Sequence, residues 1–216
     1  MKRFDSAYRS ATTKVSAAST KTVRDYAAMR LPDEPAITVA LATRISDGLD
    51  RHSSGGITWS AKVLSSHKEE PRYGADFLGL LSLRLPGYSV TKGYLAQAKR
   101  QEPGKGMSNN EWTRLQKQCE KMLNFTIESF VFIYSFNGVF VVPALSVLAC
   151  ASSEDLHLLN PKPMGRFFRE HLECYVGDPR INTPDLRVLD QLPFRVGLQV
   201  AASFDPLPGG LFGNDT

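Results

Sequence analysis

RYGADFLGLLSLRLPGYSVTKGYLAQAKR, from Arg72 to Arg100, holds two apolar alternations around a Pro-Gly pair. Between Asp76 and Leu85, the residues Phe77, Gly79, Leu81, Leu83 and Leu85 share one face of an extended segment, because successive strand side chains point to opposite sides. Pro86-Gly87 predicts a turn that reverses the chain into a second strand. A turn centred on that pair sets Asp76 opposite Gln97, whereas a turn centred one residue later sets it opposite Lys99. Gln97 and Lys99 share a face in either case, and Ala98 points into the other layer. Two oxygen ligands and one ammonium therefore converge at one end of a hairpin.

The rest of the composition bounds what surrounds that hairpin. A chain of 216 residues with 42% hydrophobic and 22% charged residues can bury one sizeable core, so a single domain is expected. The net charge of +4 permits a polyanionic partner without requiring one. Cys119, Cys150 and Cys174 form neither a CxxC pair nor an even set, which points to a reducing compartment. The N-terminus is basic but lacks an apolar central region, so a secretory signal is not supported and a cytoplasmic location is the expectation. The apolar run from Phe130 to Leu148 is broken by Asn137-Gly138 and Pro143, which predicts a type I′ hairpin rather than a membrane span. His52, His67, His157 and His171 lack metal-ligand spacing, and neither a Walker A run nor GxGxxG is present.

Along the chain, residues 1–22 predict a mobile tail or frayed helix, residues 23–150 a core, and residues 151–216 a helical or irregular extension packed on it. Asp33 is a plausible N-cap for a helix carrying Ile37, Leu41, Ile45 and Leu49 and ending at Gly55-Gly56. Ile57 to Leu64 predicts a strand, and a charged connection through His67, Lys68, Glu69 and Glu70 leads to the hairpin. Ser108 and Glu111 have capping-box form for a helix to about Leu123, with Trp112, Leu115, Cys119 and Met122 as its buried stripe. Ile127 to Phe136 then returns as a strand, so strand, helix and strand predict a right-handed parallel crossover. The aromatic residues Phe130, Phe132, Tyr134, Phe136 and Phe140 read as sheet core, and Met164 to Val176 as a helix ended by Gly177. The fold class is α/β, a central mixed β-sheet flanked by helices.

Magnesium prefers hard oxygen ligands and retains several waters, so a phosphodiesterase site needs a few carboxylates or carbonyls around an open position. Asp76 supplies charge and Gln97 an amide oxygen. Glu34, in the first turn of the first helix, is the best further carboxylate; Glu70 is the reserve, and Glu34 equally suits a helix N-terminus as a simple charge. Lys99 can orient a water or stabilise transition-state charge. Gln118 shares the inward face of the later helix with Leu115 and Met122 and can hydrogen-bond Lys99, the water or a phosphate. Arg100, Lys105, Arg114, Lys117 and Lys121 either track a phosphate backbone or form an ordinary solvated face.

GADF followed by LAQAKR, with a Glu-bearing helix before and a Gln-bearing helix after, resembles the PD-(D/E)XK restriction-endonuclease-like nucleases over roughly residues 32–143. The third motif is the Gln-x-Lys variant, which resembles Mrr-type restriction enzymes and antiphage effector nucleases. Gly74-Ala75 stands where the family name has Pro before the Asp. The resemblance implies a restriction-endonuclease-like core in which Glu34, Asp76, Gln97 and the Ala98 carbonyl hold Mg²⁺ or Mn²⁺, Lys99 is catalytic, and the substrate is DNA. It implies an endonuclease of restriction or antiphage defence, a homodimer or larger assembly, and a regulatory partner protein. The rival readings are a degraded nuclease-fold module that binds nucleic acid or a partner protein, and a nuclease for RNA or branched DNA.

Overall fold

The computed structural model describes residues 4–65, 74–150, 155–182 and 194–204. In chain order the elements are α1 (Asp5–Ala27), α2 (Glu34–Leu49), β1 (Ser53–Ser54), β2 (Ile57–Ser65), β3 (Phe77–Leu85) and β4 (Tyr88–Arg100). Then follow α3 (Asn109–Leu123), β5 (Ser129–Ser135), β6 (Gly138–Pro143), α4 (Ala144–Ala149), β7 (Lys162–Pro163), α5 (Met164–Leu172) and β8 (Val196–Phe204). The strands form one mixed sheet in the order β1-β2-β8-β3-β4-β5-β6-β7, parallel at β8/β3 and β4/β5 and antiparallel elsewhere. The β4–α3–β5 unit is thus the parallel crossover that its sequence predicts.

The β3/β4 register follows from its turn. Leu85 pairs with Tyr88 around Pro86-Gly87, Gly87 takes φ +74 as a turn of this kind demands, and Phe77 pairs with Ala96. The turn is therefore centred on the Pro-Gly pair, and Asp76 is level with Gln97 rather than with Lys99.

Alternation along these strands divides two cores. Phe77, Leu81, Leu83, Tyr94, Ala96, Ala98, Phe132 and Tyr134 pack with α1, α2 and α5 on one face of the sheet. On the other, Leu78, Leu80, Leu95, Val131 and Ile133 pack with α3 and α4. In α3 the capping box of Ser108 and Glu111 is formed, and Trp112, Leu115, Cys119 and Met122 are its buried residues.

Several expectations are corrected. Residues 5–27 form a helix whose Ala7, Tyr8, Ala11, Val15 and Ala18 are buried against the core, not a tail or a frayed end. Its buried residues Ala7, Ala11, Ala18, Ser19 and Thr22 are small, which gives weak apolar contrast in the sequence. Val196–Phe204 is inserted in the middle of the sheet between β2 and β3, not packed onto its outside. The helix α2 stops at Leu49, and Gly55-Gly56 instead joins β1 to β2. At the β5/β6 turn Ser135 pairs with Gly138, so the central residues are Phe136 and Asn137; neither has positive φ, and type I′ geometry is absent. Phe136 is consequently half exposed, its ring tilted against Tyr26 at 4.9 Å between centroids rather than inside the sheet core. The helix α5 ends at Leu172, five residues before Gly177, where Cys174 adopts φ 69. The connection containing His67, Glu69 and Glu70, the last being the reserve carboxylate, lies outside the described residues. Among the described residues no helix is long and apolar enough to cross a membrane.

Candidate functional site

Backbone hydrogen bonds fix the end of the hairpin where its polar residues meet. The Asp76 N–H donates to Ala96 O at 2.9 Å, and the Asp76 carbonyl accepts from the N–H groups of Arg195 at 3.2 Å and Val196 at 3.0 Å. Asp76 is therefore clamped between β4 and β8 before β3 begins. Two residues earlier Gly74 has φ +79, and a Cβ there would lie 2.9 Å from the Gln118 carbonyl oxygen, so glycine alone lets the chain pass under α3.

The Asp33 side chain caps α2 by accepting from the Ala36 N–H at 2.8 Å, which sets Glu34 in the first turn. From there Glu34 Oε1 accepts from the Arg100 N–H at 3.1 Å, and Oε2 lies 3.5 Å from Lys99 Nζ. The contact between Thr38 Oγ1 and Tyr134 Oη at 2.9 Å ties the next turn of α2 to β5.

These elements enclose a cleft of about 650 Å³ lined by Glu34, Asp76, Gln97, Lys99 and Gln118, all five candidate residues. Gln97 Nε2 donates to Asp76 Oδ2 and lies 3.3 Å from the Ala98 carbonyl oxygen, while the Ala98 N–H reaches Asp76 Oδ2 at 3.3 Å. Gln97 Oε1 and Gln118 Oε1 are both buried without a hydrogen-bond partner. Burial pushes the Asp76 carboxyl above the usual carboxylate range and Glu34 adds to this, against the Ala98 N–H, Arg195 and Lys99. Asp76 is thus short of positive compensation.

This donor set fits a divalent cation of the magnesium class. The Gln97 amide nitrogen occupies the position between Asp76 Oδ2 and the Ala98 carbonyl. Turning the amide by half a rotation would put Oε1 beside those two oxygens, an arrangement that only a cation between them makes favourable. Glu34 lines the same cleft, with Oε2 3.5 Å from Lys99 Nζ. Among the described residues no group of three or more His, Cys, Asp and Glu is placed to hold a metal, so any ion here would rely on amide and carbonyl oxygens as well as the two carboxylates. Burial pushes the Cys119 thiol up to about 12, which leaves it an inert core residue rather than a nucleophile.

Arg114 and Lys117 line the same cleft, together with Lys121 and Arg195, so five basic side chains counting Lys99 face two carboxylates. Among the described residues no carboxylate pairs with Arg114, Lys117 or Lys121. Arg100 and Lys105 line a neighbouring cleft of about 570 Å³ that shares Glu34, Lys99 and Arg114, with the Arg100 guanidinium donating to Pro32 O at 2.8 Å. Arg195 is the lining residue that the sequence reading lacks. The period-2 alternation of Val196, Leu198, Val200 and Ala202 directly after it is the signal that could have placed it at a strand start. Comparison with protein-family models, with curated proteins and with solved structures returned no match.

Proposed function

We propose that this chain is an endonuclease of PD-(D/E)XK type, with a restriction-endonuclease-like core, that hydrolyses phosphodiester bonds of DNA with Mg²⁺ or Mn²⁺. The observation that carries the proposal is the joint placement of Glu34, Asp76, Gln97 and Lys99 on one basic cleft, with the Ala98 carbonyl oxygen 3.3 Å from Gln97 Nε2 and a half-buried Asp76 carboxylate whose charge burial disfavours. Asp76, Gln97 and the Ala98 carbonyl would hold the ion, with Glu34 as the further carboxylate, directly or through water. When bound, the ion acts as a Lewis acid on the phosphate and makes water more acidic.

The rest is the work of side chains. Lys99, held near Glu34, hydrogen-bonds the attacking water and aims it at phosphorus. The water gives up a proton to solvent as its oxygen bonds to phosphorus, the ester bond opposite breaks, and the displaced oxygen takes a proton from solvent, leaving a phosphomonoester and an alcohol. Arg114, Lys117 and Lys121 on α3 give the strand a row of phosphate contacts. The resemblance to Mrr-type and antiphage nucleases makes restriction or phage defence the biological setting, with a homodimer cutting both strands and a partner protein governing activity.

Plasmid cleavage by wild type, Asp76→Ala and Lys99→Ala, each with Mg²⁺, Mn²⁺ or EDTA, tests this. Metal-dependent cutting by wild type alone is expected, and normal cutting by Lys99→Ala would sink the assignment. The neutral Gln97 favours one other reading, a degraded module that binds without cutting; such a module shows no cleavage and no rise of Tm with Mg²⁺.

A further inference from the structure

We propose that Arg195 is a substrate ligand, the clamp on the phosphate group that lies over Asp76; this rests on the nuclease reading of the cleft. Three observations point to it. The first is position. In the sheet β8 and β4 flank β3 on opposite sides, so Arg195 at the start of β8 and Lys99 on β4 approach Asp76 from opposite directions. Its backbone is anchored, because the N–H groups of Arg195 and Val196 both donate to the Asp76 carbonyl. The backbone of Arg195 is therefore fixed beside the site, and its side chain is tethered within reach of the Asp76 carboxylate.

The second is the poor quality of its present contact. Arg195 Nε is 3.7 Å from Asp76 Oδ1, beyond hydrogen-bond length, and this buried N–H has no acceptor. A guanidinium serving only as the counter-ion of Asp76 would close a forked, bidentate pair. The third is access. The Arg195 side chain remains 41% exposed, whereas those of Asp76 and Lys99 are 18% and 15% exposed, so donor groups of Arg195 are open to the cleft beside a carboxylate that is not. A guanidinium that is part-exposed, lines the cleft and leaves its Nε–H without an acceptor beside Asp76 suits the non-bridging oxygens of a phosphodiester. Lys99 and Arg195 then grip one phosphate from opposite sides, Lys99 on the side of the attacking water. Among the cations of the cleft Arg195 alone comes from the entry to β8; Arg114, Lys117 and Lys121 belong to α3 and contact phosphates further along the strand.

The test measures binding of a duplex DNA fragment in Ca²⁺ over a salt series, for wild type, Arg195→Ala and Arg195→Lys, with plasmid cleavage in Mg²⁺ and the Tm of each alongside. Arg195→Ala is expected to bind roughly tenfold more weakly, with a log–log salt slope smaller by about one. Arg195→Lys keeps the slope but loses affinity, because an ammonium makes no bidentate contact. If Arg195→Ala loses Tm, the lysine variant decides alone. Wild-type affinity in both variants overturns the role of Arg195 while leaving the nuclease reading intact. Wild type that neither binds nor cuts DNA overturns that reading itself, and with it this one.

Discussion

Gln97 stands where a carboxylate would be the obvious metal ligand, and its amide gives it a second use. The Gln97 amide nitrogen donates to Asp76 and faces the Ala98 carbonyl, which gives a hydrogen bond to a carboxylate whose charge burial disfavours. A Glu at this position would set two carboxylates together with no cation between them, so one of them must take up a proton or the site must open. Gln97→Glu is therefore expected to lower metal-free stability by about 1–3 kcal/mol, the range for a buried polar group that loses its partner. The same change should strengthen metal binding, because a charged oxygen replaces a neutral one. Thermal unfolding of wild type and variant in EDTA and in Mg²⁺ measures both effects. A larger metal-induced rise of Tm in the variant is the expected outcome, and the absence of any rise in either protein would remove the cation from this site.

At the scale of the element, the cap of α2 decides where Glu34 sits. Asp33→Ala removes the acceptor of the Ala36 N–H at a cost of about 1 kcal/mol and loosens the turn from which Glu34 meets Lys99 and the Arg100 N–H. Ser108→Ala removes the cap of α3 at a similar cost but leaves that turn untouched. Asp33→Ala should thus lower cleavage roughly three- to tenfold while Ser108→Ala, at matched loss of Tm, leaves it near wild type; equal losses of activity would show that the caps act only through global stability. Both helices, like the β3/β4 hairpin, are legible in the sequence because their signals are local: capping residues, a 3.6-residue apolar stripe, a Pro-Gly turn between alternating runs. The buried face of α1 escapes that reading because alanine at helical spacing contrasts little with the Ser and Thr around it. The place of β8 escapes it for a different reason. VGLQVAASF alternates, but nothing within it states that the last strand enters between β2 and β3, and Arg195 is invisible as a site residue until that is known.

Across the whole molecule the site depends on the strand farthest from it in sequence. Glu34 comes from α2, Asp76 from the start of β3, Gln97 and Lys99 from β4, and Gln118 from α3, yet Asp76 is held in place by main-chain bonds from Arg195 and Val196. The strand β8 also pairs along nine residues of β2 and eight of β3, and it buries Val196, Leu198, Val200 and Ala202 in the core that α1 and α2 cover. Burying each of its Val and Leu side chains is worth about 1.5–3 kcal/mol, so their sum alone is comparable to the roughly 5–15 kcal/mol by which a whole domain is stable. Without β8 the two halves of the sheet have no shared neighbour. To pair directly with β3, β2 would have to cross the width of the missing strand, about 5 Å, while α2 stays packed on β2 and β4. A chain ending at Asn182 is therefore expected to lack a cooperative thermal transition, to expose apolar surface and to bind no Mg²⁺. Circular dichroism melting and dye binding on that truncated chain measure this, and a cooperative transition close to that of the full chain would show instead that the sheet closes, and Asp76 is placed, without its central strand.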